Sequence, residues 1–241
     1  MKTENQRRVL ITGANRGIGL AFAQECLNRG DQVFAGCRDA SGATALQDLK
    51  AAHPENCVIV ELDITDKCSI GASFETIQKQ AEGLDLLVNN AAYTTNLFES
   101  IDDFQSEIML RHFQVNAFAS MEIIQRYLRL LRKGRNAKIA TVSSEAGSFH
   151  SNAKATSFRG YSYPASKTAL NMLLMILTAE LRPQNISVVS LHPGFVRTRA
   201  DNSHAPLSPK ESVEGMLKII ENLTTENSGG FYRYDGSTVE W

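Results

Sequence analysis

The feature that most constrains this chain is a regular alternation of short apolar, β-branched runs with longer amphipathic stretches. The runs lie at Arg8–Thr12, Gln32–Gly36, Val58–Leu62, Leu84–Asn89, Lys138–Ser143 and Ser187–His192. Helical spacing between them predicts helices over Gly17–Arg29, Gly42–Ala52, Asp66–Glu82, Phe104–Arg132, Tyr161–Arg182 and Pro209–Asn222. Near-continuous apolar strands separated by helices imply a parallel sheet covered on both faces, with right-handed crossovers. The expected fold class is therefore α/β, a doubly wound parallel sheet. No repeat or low-complexity linker interrupts the pattern, and residues 1–241 are expected to form one domain.

A sheet of this kind binds ligands beyond the carboxyl ends of its strands, where strand order reverses. The segment after the first run reads Thr12-Gly13-Ala14-Asn15-Arg16-Gly17-Ile18-Gly19 and opens a helix. Glycines at 13, 17 and 19 permit a tight turn and close approach of a pyrophosphate. The helix N-terminus behind them offers free N–H groups and a favourable dipole. Gly13, Asn15, Arg16, Gly17, Ile18 and Gly19 are thus candidate contacts to a dinucleotide. At the end of the second run, Cys37 stands where an acid would hold a ribose hydroxyl, and Arg38 follows it. Arg38 and Arg16 favour a 2′-phosphate, hence NADP(H), although Asp39 reaches the ribose if the strand ends one residue later.

Composition excludes other classes. With 25 basic and 26 acidic residues the formal charge is -1, which gives no general reason to expect nucleic acid as a partner. The N-terminus shows no apolar leader pattern, and Leu170–Leu177 is too short for a bilayer and is interrupted by Asn171. A cytoplasmic protein with no membrane partner is expected. Cys26, Cys37, Cys57 and Cys68 form no CxxC pair and are read as buried, reduced thiols within strands and helices. The histidines show no tight ligand spacing, so no metal is expected.

Tyr163 and Lys167 lie four residues apart on one predicted helix, so both project from the same face. An ammonium near a phenol favours the phenolate, which predicts a lowered Tyr163 pKa and a usable general acid or base. Other strand ends carry Leu62-Asp63-Ile64-Thr65, Asn89-Asn90-Ala91-Ala92, Ser143-Ser144 and His192-Pro193-Gly194. Together with the glycine loop, this ordered set resembles the short-chain dehydrogenase/reductase family in its compact form, from about residue 7 onward. Residues Ala205–Pro209 and the ending from Gly230 through Gly236 to Trp241 are more particularly similar to the C-factor/sniffer-like carbonyl-reductase branch.

The resemblance implies a Rossmann fold and specific roles. Asp63, with Ile64, corresponds to the adenine contact; Asn89 steadies the sheet; and the backbone around Asn90 and Ala91 lines the cofactor. Lys167 also bonds the nicotinamide ribose, and Pro193, Gly194, Val196 and Thr198 lie near the nicotinamide. Asn116 corresponds to the asparagine that holds a proton-relay water. Ser144 is the better match to the catalytic serine, with Ser143 the fallback. The usual NNAG is here Asn89-Asn90-Ala91-Ala92. The long segment between Ser144 and Tyr163 is expected to form a mobile loop, and Tyr93, Phe149 and Phe195 are candidates for the substrate pocket.

The implied activity is NADP(H)-dependent interconversion of carbonyl and alcohol groups, with Asn116, Ser144, Tyr163 and Lys167 as catalytic residues. The short connection from Arg199 to Leu207 suggests an open site for small aldehydes, ketones or diketones. A nucleotide-responsive signalling or interaction protein is the alternative, and an epimerase or dehydratase fits less well for want of a substrate domain. The long helices at Phe104–Arg132 and Tyr161–Arg182 correspond to the family's dimer surfaces, so a homodimer is expected; Arg126, Arg129, Arg132 and Lys133 could equally face solvent.

Overall fold

A computed structural model describes residues 6–95, 97–157, 160–198 and 202–241. Its strands are β1 (Arg8–Thr12), β2 (Gln32–Cys37), β3 (Cys57–Glu61), β4 (Leu86–Asn89), β5 (Lys138–Val142), β6 (Ser187–His192) and β7 (Phe231–Arg233). They form one seven-stranded sheet in the order β3-β2-β1-β4-β5-β6-β7, parallel throughout. Strand order reverses between β1 and β4, which fixes where a ligand crevice opens.

Alternation along each strand sends side chains to two separate cores. On one face Val9, Ile11, Val33, Ala35, Val88 and Val189 pack beneath α1 (Gly17–Asn28), α2 (Thr44–Ala52) and α8 (Pro209–Glu221). On the other, Leu10, Phe34, Leu87, Ile139 and Val188 pack beneath α3 (Lys67–Gln78), α5 (Ala119–Leu131) and α7 (Ser162–Leu181). Burial on both faces explains why the strands read as continuous apolar runs rather than alternating ones.

Several expectations are corrected. The helix predicted over Phe104–Arg132 is three pieces: α4 (Ser106–Phe113), a π-helical turn at Gln114–Phe118, and α5. The extra residue in that turn is anchored by Asn116, whose side chain bonds the backbone of Tyr93. β7 adds a seventh strand; at three residues it is too short to show a period. The segment after Ser144, expected as a mobile loop, contains a 3₁₀ turn at Glu145–Gly147 and the short helix α6 (Phe149–Ala153). Ser148 caps α6 by accepting the Ser151 N–H at 2.9 Å, and its hydroxyl donates to the Glu240 carbonyl at 2.5 Å. Cys26, Cys37 and Cys57 are buried, but Cys68 is exposed because it lies in the first turn of α3, just after the Asp66 cap. Among the described residues, no helix is long and apolar enough to cross a membrane, and no cluster of metal-ligating side chains occurs.

Candidate active site

The turn after β1 is shaped by glycine. Gly13 and Gly17 adopt φ of +66° and +55°, the left-handed region that disfavours a side chain. A Cβ on Gly19 would lie 2.1 Å from the Gly13 carbonyl oxygen and 2.5 Å from Asn90 Nδ2. The helix thus starts hard against the turn. Asn90 stitches the crevice across the strand reversal, its Nδ2 donating to the carbonyls of Thr12 at 2.9 Å and Gly13 at 3.2 Å. Thr12 Oγ1 accepts the N–H groups of Asn90 at 3.0 Å and Ala91 at 3.1 Å. α1 has no side-chain cap and no acid in its first turn, so its first N–H groups face the crevice. The cradle fits a pyrophosphate. Asn15 and Arg16 are exposed at its rim, and Ile18 is half-buried against the α1 core.

At the end of β2 the two candidates, Arg38 and Asp39, differ in their surroundings. Asp39 closes a local turn, accepting the Ser41 hydroxyl at 2.6 Å and the Gly42 N–H at 2.9 Å on one oxygen. The Ser41 hydroxyl, then the Gly42 N–H, hold its carboxyl below the usual range. This turn also explains why α2 begins at Thr44 rather than Gly42. Arg16 and Arg38 are exposed, and among the described residues neither is in an ion pair. Beyond β3, Asp63 accepts the N–H and hydroxyl of Thr65 at 2.8 and 2.7 Å. Burial works to raise its pKa, but the Thr65 bonds and the charges of Arg38 and Arg111 leave it lowered. The Ile64 side chain is buried in the α3 core.

α7 brings Tyr163 and Lys167 to the end of β5. Its N-terminus is fastened from outside: the buried Glu99 carboxylate accepts the Ser162 N–H at 2.6 Å. Lys167 is buried and donates from Nζ to the Val142 carbonyl at 2.9 Å. Burial lowers its pKa to about 8. Nζ lies 5.9 Å from the centre of the Tyr163 ring. Tyr163 departs from the expected direction: burial raises its phenol above the ordinary value, opposed by the nearby Ser144 hydroxyl. The lysine is directed at a backbone carbonyl, and desolvation of the phenol dominates. Gly147 lets the turn after Ser144 lie against α7, since a Cβ there would come within 2.7 Å of the Lys167 backbone. Ser143 Oγ donates instead to Asn171 Oδ1 at 2.6 Å in the interior.

Asn116 is buried in the π turn. Its Oδ1 accepts the Tyr93 N–H at 2.8 Å; its Nδ2 donates to the Tyr93 carbonyl and to Ser166 Oγ, both at 3.0 Å. Asn89 Nδ2 donates to the Ser120 carbonyl at 3.3 Å, joining β4 to α5. After β6, Pro193 accepts the Ser212 hydroxyl at 2.6 Å, Gly194 has φ of +80°, and Val196 bridges Leu207. Thr198 approaches the glycine loop, where a Cβ on Gly17 would meet it at 3.2 Å. Of the pocket candidates, Tyr93 is half-buried, whereas Phe149 and Phe195 are exposed, the latter against the His204 ring. Arg199 and its two successors lie outside the described residues. Glu99 and His112 have no local sequence signature; His112 only repeats the four-residue spacing to Asn116.

The comparisons agree with this geometry. Residues 7–206 match the short chain dehydrogenase family. The structure is similar to an NADPH-bound carbonyl reductase from chicken fatty liver, with a TM-score of 0.88 and 36% identity, covering 98% of this chain and 99% of that one. It is also similar to the carbonyl reductase Sniffer of D. melanogaster, with a TM-score of 0.90 and 32% identity, covering 98% and 100%. The C-signal protein of Myxococcus xanthus is 37% identical over 158 residues, which cover 66% of this chain and 93% of that protein. On this match across most of its length, the chain belongs to the short-chain dehydrogenase family.

Proposed function

We propose that this chain is a single-domain, NADP(H)-dependent oxidoreductase that interconverts carbonyl and alcohol groups of small molecules. The observation that carries the reading is the gathering of Ser144, Tyr163 and the buried Lys167 at the end of β5, beside an uncapped helix N-terminus cradled by Gly13, Gly17 and Gly19. NADPH, when bound, supplies the hydride. The glycine loop and the α1 N-terminus hold its pyrophosphate. Arg16 and Arg38 hold its 2′-phosphate, and Asp63 and Ile64 border the adenine. Asn90, Ala91, Pro193, Gly194, Val196 and Thr198 border the remainder.

In the reducing direction Ser144 orients the substrate carbonyl by donating to its oxygen. Tyr163 donates its phenolic proton to the same oxygen as negative charge develops there. A raised phenol pKa keeps that proton in place at neutral pH, as an acid requires. Lys167 places its ammonium beside the phenol and stabilises charge left on it; Asn116 fixes the backbone at Tyr93 on the opposite wall. Exposed Met172, Met175 and Ile176 on α7 support pairing of two chains through that helix, which light scattering tests. Replacing Tyr163 with Phe should abolish most reduction of diacetyl or benzaldehyde while sparing NADPH binding. Tight NADPH binding without turnover in the wild type would instead favour a nucleotide-responsive interaction protein.

A further inference from the structure

The last turn of α4 carries a histidine that the chemistry above leaves without a task. His112 is completely buried, and its ring stands edge-on to two tyrosines, 4.8 Å from Tyr93 and 6.0 Å from Tyr163 between centroids. Its Nε2 is 2.8 Å from the Thr95 carbonyl oxygen. A carbonyl only accepts, so Nε2 carries the proton. Nδ1 faces Asn116 Nδ2 at 3.4 Å, a longer contact than that amide's 3.0 Å bonds to the Tyr93 carbonyl and Ser166 Oγ; two hydrogens serve three acceptors, so the one toward Nδ1 is shared. The Asn116 amide is fixed in that orientation, because Oδ1 accepts an N–H from Tyr93 while Nδ2 donates to the Tyr93 carbonyl. Nδ1 is therefore an acceptor, and the ring is the neutral Nε2–H tautomer.

We propose that neutral His112 is a positioning residue for carbonyl reduction, fixing the Asn116 amide through Nδ1 and bracing the Tyr163 ring by edge-to-face packing. The inference rests on the function proposed above. A proton on Nδ1 would set one N–H against another, detaching the amide from the ring. The titratable groups facing His112 are Tyr93 and Glu99 from the segment after β4, and Tyr163 and Lys167 from α7. Burial pushes the His112 pKa down most strongly and the Lys167 ammonium adds to it, against the Thr95 bond, the Glu99 carboxylate and the Tyr93 backbone. The ring therefore stays neutral at neutral pH and charges on the acid side.

The test compares wild type, His112→Asn and His112→Leu in NADPH-dependent reduction of diacetyl and benzaldehyde from about pH 5 to 8. An asparagine oxygen takes the place of Nδ1 as acceptor and does not titrate. Wild-type kcat should fall on the acid side, and that limb should be absent from His112→Asn, which keeps most of its neutral-pH kcat. His112→Leu should lose about 10- to 100-fold in kcat at unchanged KM and unchanged NADPH affinity. An acid limb that survives in His112→Asn, or full kcat in a folded His112→Leu, overturns the proposal. If His112→Leu does not fold, the acid limb of His112→Asn decides. The ¹⁵N imidazole spectrum of wild type gives a readout that needs no turnover: the Nε2–H tautomer is expected, and the Nδ1–H tautomer overturns the assignment. A wild type that reduces neither carbonyl defeats the functional reading, and the kinetic role of His112 with it, whatever the spectrum shows.

Discussion

Ser143 and Ser144 are neighbours in sequence but make separate hydrogen bonds: Ser143 Oγ donates to Asn171 Oδ1 at 2.6 Å inside the fold, whereas Ser144 Oγ, close enough to Tyr163 to oppose the rise in its pKa, accepts the Ala146 N–H at 3.2 Å. Their substitutions should separate accordingly. Ser144→Ala is expected to lower kcat by on the order of 100-fold with little change in thermal unfolding. Ser143→Ala leaves the buried Asn171 oxygen without its donor and should cost about 1–3 kcal/mol of stability. Rate and unfolding measurements on the two variants check this; the reverse assignment of the two effects would exchange the serines' roles.

Gly19→Ala should impair NADPH binding, because its Cβ would meet the Gly13 carbonyl and the Asn90 amide at distances no packing tolerates. The turn must open to admit it, which displaces the N–H groups that face a phosphate. A loss of at least about tenfold in affinity is expected, equivalent to about 1.4 kcal/mol. Fluorescence titration reads it directly.

Arg16→Ala combined with Arg38→Ala should weaken NADPH while leaving NADH almost unchanged. Charge-assisted hydrogen bonds of this kind are worth about 1.5–3 kcal/mol each, so with two removed the preference should fall by about 100-fold or more. Asp39 is occupied by Ser41 and Gly42, and Asp39→Ala should therefore leave the preference as it is. A swing toward NADPH in that variant would show the carboxylate facing the ribose after all.

Lys167 gives a pH dependence with a definite sign. Its folded pKa of about 8 lies below the ordinary lysine value of 10.5, so raising pH through about 8 removes the ammonium beside Tyr163. Reduction should decline over that range, and Lys167→Met should be slow with no such limb. Stability moves the other way: the unfolded chain binds the extra proton between the two values, so this group's contribution rises with pH across that window and levels above it. Turnover and denaturant-unfolding profiles check the two halves independently.

At the opposite end of the sheet, Arg8 clamps the buried Asp85 with bonds of 2.9 and 2.7 Å. Asp85→Ala should cost about 3 kcal/mol by leaving the guanidinium unpaired. Burial works to raise the Asp85 pKa, but the Arg8 and Arg135 bonds win and lower it. The pair's stabilisation should accordingly be present above about pH 4 and fade as acid protonates the carboxylate. Acid unfolding of the wild type against the variant tests both statements.

The parallel sheet and the glycine turn were legible in the sequence because their determinants are local: apolar runs, helix spacing and the three glycines after Thr12. Features that depend on distant partners were not. The π turn exists because Asn116 reaches Tyr93, 23 positions away, and helical periodicity reads straight through it. β7 is defined by its ladder with β6, which three residues cannot announce. Arg38 and Asp39 are adjacent in sequence, yet the turn that occupies Asp39 shows only in the geometry of Ser41 and Gly42. Glu99 and His112 stay invisible in a linear reading, since each acquires its task only when the segment after β4 folds against α7.

The most direct test of the central claim is NADPH oxidation in the presence of diacetyl, followed for wild type and Tyr163→Phe after both have been shown to bind NADPH. Carbonyl-dependent oxidation by the wild type, reduced about 100-fold or more in the variant at similar cofactor affinity, is the predicted result. Equal rates in the two proteins would contradict Tyr163 as the proton donor and the reading of the site built around it.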